Sequence, residues 1–152
     1  MLSEKILEYK DELFEDLNTL ISIESIDGAR DKDCERALEF VLGRAQDFGL
    51  VPERVTEKSG QVDLGSGGRL CGVLTHLDVV PAGNGWKYPP FGGVINDDVS
   101  DTGVRGTKIW GRGAMDDKTP AIVCLYALKS LKDEGITPSR KIKLIVGCNE
   151  EA

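Results

Sequence analysis

The chain has 152 residues, 40% of them hydrophobic and 30% charged, which suits one globular domain able to bury a core without disulfide staples. Its 19 Lys and Arg against 26 Asp and Glu give a net charge of −7, which argues against nucleic acid or an anionic membrane as a partner. No run approaches the roughly 18 apolar residues needed to span a bilayer, and no basic-then-apolar leader is visible. Cys34, Cys71, Cys124 and Cys148 are widely spaced and form no C-x-x-C pair. The expectation is a cytoplasmic protein whose thiols are reduced and mostly buried.

In chain order, residues 4–24 predict an amphipathic helix, with Ser3 as N-cap and Ile6, Leu13, Leu17, Leu20 and Ile21 in one apolar stripe flanked by Leu7 and Phe14. A second helix is expected over about residues 32–48, with Leu38, Val41, Leu42, Ala45 and Phe48 on its face and Gly49 as its C-terminal cap. Residues 50–56 and 60–64 are short strand candidates. The apolar run at 70–75, ending at His76, suits a central strand buried on both faces. Residues 81–107 are rich in Gly, Pro, Asn and Asp and read as a long loop, with a hairpin near 92–95 and 108–110. A third helix is expected over about 119–134, ended by Gly135, and a last strand over 141–147. Helices alternating with buried strands predict an α/β sandwich with a mixed, mostly parallel sheet.

Three groups of residues can carry chemistry. His76, the chain's single histidine, stands where a buried strand runs out into a loop, and Asp78 follows two residues later. Ligands of open α/β sheets gather at such strand ends, and a nearby acid can fix an imidazole's tautomer. Asp116 and Asp117 follow a glycine-rich turn and precede a helix, and a carboxylate's two oxygens can span two cations. Glu150 and Glu151 end the last strand, where one acid could bind a metal while the other moves a proton. Taken singly, each fits a plainer reading: a histidine hydrogen-bonded at a strand end, two acids favouring a helix dipole, a solvated acidic pair. Together, one histidine and several carboxylates at strand ends form a ligand set suited to zinc, manganese or cobalt.

The segment 74–83 (LTHLDVVPAG) resembles the first signature of the zinc peptidase family that includes acetylornithine deacetylase, aminoacylase, glutamate carboxypeptidase and dipeptidase V. Trp86 with Pro90 and Phe91 resembles the following W…PF segment, 110–118 (WGRGAMDDK) the second signature, and 146–151 (VGCNEE) the third, in the same order and spacing. The segment 20–25 (LISIES) is similar to the end of the family's N-terminal helix. The residues 82–86 and the doubled acid of Asp116-Asp117-Lys118 resemble the dipeptidase V branch; deacetylases and aminoacylases more often carry Asp-Met-Lys there.

The resemblance implies a partial zinc-exopeptidase-type α/β/α sandwich and a two-zinc peptidase acting on dipeptides or short peptides, with Mn2+ or Co2+ as other ions. It implies that His76 binds one zinc, Asp116 bridges both metals and Glu151 ligates the second. Asp78 would orient His76, and Glu150 would be the general base on the bridging water. It also implies a cis peptide at Asp116-Asp117. Thr119 departs from the glycine usual after the lysine, and residues 96–108 exceed the usual connection. A further acid ligand, a distant histidine ligand and a lid domain that the family carries are not in these 152 residues. The chain is therefore expected to be an N-terminal piece of the catalytic domain, binding metal weakly and hydrolysing little alone. Other readings are an amidohydrolase of N-acyl amino acids, or a non-catalytic remnant of such an enzyme.

Overall fold

The computed structural model describes residues 2–28, 31–97 and 106–151. The helix expected over 4–24 is two: α1 (Leu2–Glu8) and α2 (Lys10–Ser22), separated at Tyr9, whose φ of −91° and ψ of 4° leave the helical range. The break has a packing cause. Tyr9 is buried, its hydroxyl donates to Asp133 Oδ2 at 2.6 Å, and Lys129 Nζ sits 3.9 Å from its ring centroid. Leu7, expected at the edge of the apolar stripe, is exposed, while Leu17, Leu20 and Ile21 are fully buried. The helix α3 (Asp31–Asp47) closes at Gly49 in the left-handed region (φ 65°), as the sequence predicts.

The strands β1 (Val51–Thr56), β2 (Ser59–Leu64), β3 (Leu70–His76) and β6 (Lys141–Gly147) form one sheet in the order β1-β2-β6-β3. A short hairpin of β4 (Val94–Asn96) and β5 (Lys108–Trp110) stands apart. The expected long connection over 96–108 falls partly outside the described residues. The last helix, α4 (Lys118–Asp133), leads into β6.

The sheet is mixed, as expected, but not mostly parallel: β3 and β6 run parallel, while β1–β2 and β2–β6 are antiparallel. The hairpin from β1 to β2 accounts for the first of these antiparallel pairs, because a two-residue link allows only antiparallel return.

Nor is β3 a central strand buried on both faces. Among the described residues it pairs only with β6, and Leu70 and Leu74 are 59% and 76% exposed. The helices α3 and α4 cover one face of the sheet, so Val62, Leu144 and Val146 are buried, as alternation along a strand requires. Of the expected sandwich, the described residues supply the sheet and the helical layer on that face. Leu74 and Ile145 lie side by side in the ladder on the other face.

A buried ionic network ties the helices together. Asp16 on α2 accepts from Tyr126 Oη on α4 and from Arg44 Nε on α3, both at 2.7 Å. The parallel ladder leaves β3 and β6 ending side by side, with His76 opposite Gly147, so the residues that follow each strand meet at one end of the sheet.

Candidate metal centre

His76 is the last residue of β3, and the chain beyond it is stitched to the segment after α2. Ser25 Oγ donates to Leu77 O at 2.6 Å, Val79 N to Ser25 O at 2.9 Å, and Ile26 bridges Val79. These bonds fix the direction in which Asp78 leaves the strand. Asp78 is completely buried. Its Oδ2 accepts the main-chain N–H groups of both Glu150 and Glu151 at 2.9 Å. Its own carbonyl lies 3.1 Å from His76 Nδ1, with Oδ1 at 3.5 Å and otherwise without a partner. The expected contact of Asp78 with the imidazole is thus made chiefly by its carbonyl, while its carboxylate holds the acidic pair in place.

The second arm of the site comes from the turn before α4. Gly113, at φ 79°, lies so close to Val79 that a Cβ would sit 2.6 Å from Cγ1 of that valine. Only glycine allows that approach, and it brings Asp116 over the end of β3. Asp116 Oδ1 lies 3.0 Å from His76 Nε2, and the Asp116-Asp117 peptide is cis. Thr119 Oγ1 donates to Ala114 O, so the residue that departs from glycine closes the turn itself.

His76, Asp116 and Glu151 bring three ligand atoms within 4.8 Å of one another, and Glu150 Oε2 lies 3.8 Å from His76 Nε2. A carbonyl on Nδ1 requires a hydrogen there, which leaves Nε2 to the carboxylates. Burial lowers the pKa of His76, but hydrogen bonding to Asp116 and to the Asp78 carbonyl, with the charges of Asp78 and Asp117, raises it overall above 6.5. A divalent cation between Nε2 and the carboxylates would replace that proton and satisfy the same atoms, so the donor set fits a metal ion.

Two contacts around the site escape sequence reasoning. Asp117 Oδ2 accepts the main-chain N–H of His76 at 3.2 Å. Lys118 is fully buried and donates to Leu20 O and Ile23 O at 2.9 and 2.7 Å, at the C-terminal end of α2. The only local hint of the latter is a cation opening a helix, where the dipole disfavours it.

A pocket of about 520 Å3 opens beside the centre, lined in part by Leu74, His76, Asp117, Asn149 and Glu150. None of the four cysteines is in a disulfide; Cys34 and Cys148 are buried and Cys71 is exposed. No helix among the described residues is long and apolar enough to cross a membrane.

Residues 72–152 match the model of peptidase family M20/M25/M40. A Staphylococcus haemolyticus protein named "Putative dipeptidase" is 36% identical over 160 residues, spanning all of this chain and 32% of that relative. A Staphylococcus aureus protein of the same name is 34% identical with the same coverage. Human carnosine dipeptidase 1 shares the fold, with a TM-score of 0.77 and 23% identity over 97% of this chain and 34% of that one. So does the dipeptidase Dug1p of Saccharomyces cerevisiae, with a TM-score of 0.75 and 20% identity over 96% and 33%. This chain therefore spans about a third of the length of the relatives it matches.

Proposed function

This chain belongs to peptidase family M20/M25/M40, and from that premise we propose that it forms the N-terminal part of the catalytic domain of a two-metal dipeptidase, with zinc as the resident ion. The convergence of His76, Asp116 and Glu151 within 4.8 Å is the observation that carries this reading.

His76 would hold one ion through Nε2 and Glu151 the other, with Asp116 spanning both through its two oxygens. When bound, the ions supply positive charge that polarises the scissile carbonyl and makes water a better nucleophile. Glu150 would take the proton of the attacking water on its carboxylate and pass it to the leaving amine. Asp78 would keep both glutamates in place through their main-chain N–H groups and hold Nδ1 of His76 protonated through its carbonyl. The 520 Å3 pocket is large enough for the side chain of a dipeptide residue.

Relatives three times as long support a site completed by residues beyond these 152, so metal binding precedes activity as the first test. Zinc titration by calorimetry should give a binding heat that His76→Ala and Glu151→Gln each abolish or strongly reduce. Unchanged heats in both variants would contradict the assignment. In a longer form of the protein that carries the remaining ligands, unblocked dipeptides should be cleaved in preference to N-acetyl amino acids. The reverse preference would point to an amidohydrolase.

A further inference from the structure

Three successive residues at the start of α4 reach three different places. Asp116 meets the ring of His76, Asp117 accepts its main-chain N–H, and Lys118 is anchored on the end of α2. Asp117 is the N-cap residue of α4, a position where a carboxylate ordinarily accepts an N–H of the first helical turn. It makes no such bond. Its carboxylate is turned instead onto a residue 41 positions away.

The bond falls where β3 needs it. Lys141 N donates to Arg69 O and Leu77 N to Gly147 O, so the odd-numbered residues of this segment present their polar main-chain groups to β6. In a parallel ladder the intervening residues then point the other way. The N–H of His76 faces the open side of β3, where no strand pairs with it among the described residues. Asp117 supplies its acceptor.

We propose that Asp117 is a positioning residue for the metal centre. Its carboxylate fixes the main chain of His76, so that the adjacent acids Asp116 and Asp117 grip one histidine by ring and backbone together. This rests on the metal reading of the site. With its main-chain N–H held by Asp117 and its Nδ1 by the Asp78 carbonyl, the ring has one direction left for Nε2, the direction of Asp116. Metal ligands tolerate displacements of only about 0.2 Å, so a strand end freed on one side costs affinity although no ligand is lost.

Two variants separate this role from a general effect on folding. Asp117→Asn keeps an oxygen within reach of the His76 N–H. Asp117→Ser keeps a residue suited to the helix start but is too short to reach. The chain has one histidine, so 15N-histidine labelling reports a single main-chain amide and a single ring. The probe is Co2+, followed by its absorption spectrum.

In Asp117→Ser, hydrogen-exchange protection of the His76 amide should be lost and Co2+ affinity should fall about 10- to 100-fold, with α4 retained by circular dichroism. Asp117→Asn should restore most of both. Wild-type Co2+ affinity in Asp117→Ser with the amide unprotected overturns the proposal, and so does an Asn variant as weak as the Ser variant. Should the wild-type chain bind no Co2+, the metal reading fails separately. The ring 15N shifts of the metal-free Ser and Asn variants then decide, and identical spectra overturn the positioning role.

Discussion

The carboxylate of Asp78 accepts the main-chain N–H of Glu151 at 2.9 Å, and that of Glu150 at the same distance. A residue of the loop after β3 thereby sets the position of two residues after β6. Asp78→Ala leaves two N–H groups without their charged acceptor, each worth about 1.5–3 kcal/mol. The expected loss is about 3–5 kcal/mol in urea unfolding, together with metal binding weakened about 10- to 100-fold. Asp78→Asn, which keeps one oxygen, should lose less than half as much stability.

Lys118 gives a pH signature. Burial pulls its pKa down from 10.5 to about 8, against weaker raising by Cys148 and Cys34. Between about pH 8 and 10.5 the unfolded chain holds the proton that the folded chain has released, so this group makes the fold more stable as pH rises through that window. Lys118→Met should remove the slope and leave Leu20 O and Ile23 O without their donor, at a cost of about 1–3 kcal/mol. Unfolding midpoints of both proteins at pH 8 and 10.5 provide the comparison. A wild type whose stability relative to the variant is flat across that range contradicts it.

The thiols should react in the order of their exposure. Cys71 is exposed on β3, whereas Cys148 is buried, donates towards Cys34 O at 3.5 Å, and has its thiol pushed up to about 12 by burial. Iodoacetamide at pH 8 should modify Cys71 first, with Cys34 and Cys148 labelled only in denaturant. Peptide mapping by mass spectrometry after timed quenching reads the order.

The helical layer depends on Asp16. Tyr126→Phe removes one of its two partners and should cost about 1 kcal/mol, because Arg44 still satisfies the carboxylate. Asp16→Ala removes the shared acceptor of the buried Tyr126 hydroxyl and of Arg44 Nε, while Arg44 keeps Glu12 and Asp47, and should cost about 2–4 kcal/mol. Equal losses in the two variants would show that Arg44 does not hold Asp16.

What could be read from the chain divides along the range of the interactions. The segments 74–83, 110–118 and 146–151 each place a polar group at the end of an element, a local property of pattern and turn chemistry, and these segments do meet at one end of the sheet. Alternation along β6 and the glycine stops at Gly49 and Gly135 are local too. The break at Tyr9 was not legible, because it depends on Asp133, 124 residues away. The exposure of Leu74 escaped for another reason. An apolar run looks the same whether one face or both are covered, and only the placing of α3 and α4 decides. Asp117 looked like a helix-dipole acid, and its N-cap position agrees with that, yet its carboxylate serves a strand instead.

His76 provides the most direct test of the central claim, that its Nε2 and the carboxylates of Asp116 and Glu151 are metal ligands. In the metal-free chain its raised pKa means that the protonated ring stabilises the fold below pH 6.5, and that this contribution is lost as pH rises through the raised value. Zinc needs the neutral ring, so its binding should show the opposite preference and weaken as pH falls. The measurement is a pH titration of the single imidazole by 15N NMR, without and with zinc in excess. Without zinc the ring should titrate once, above pH 6.5, and with zinc it should stay neutral over the range where the free ring titrates, Nε2 shifting and Nδ1 retaining its hydrogen. An imidazole that titrates identically with and without zinc would contradict the claim.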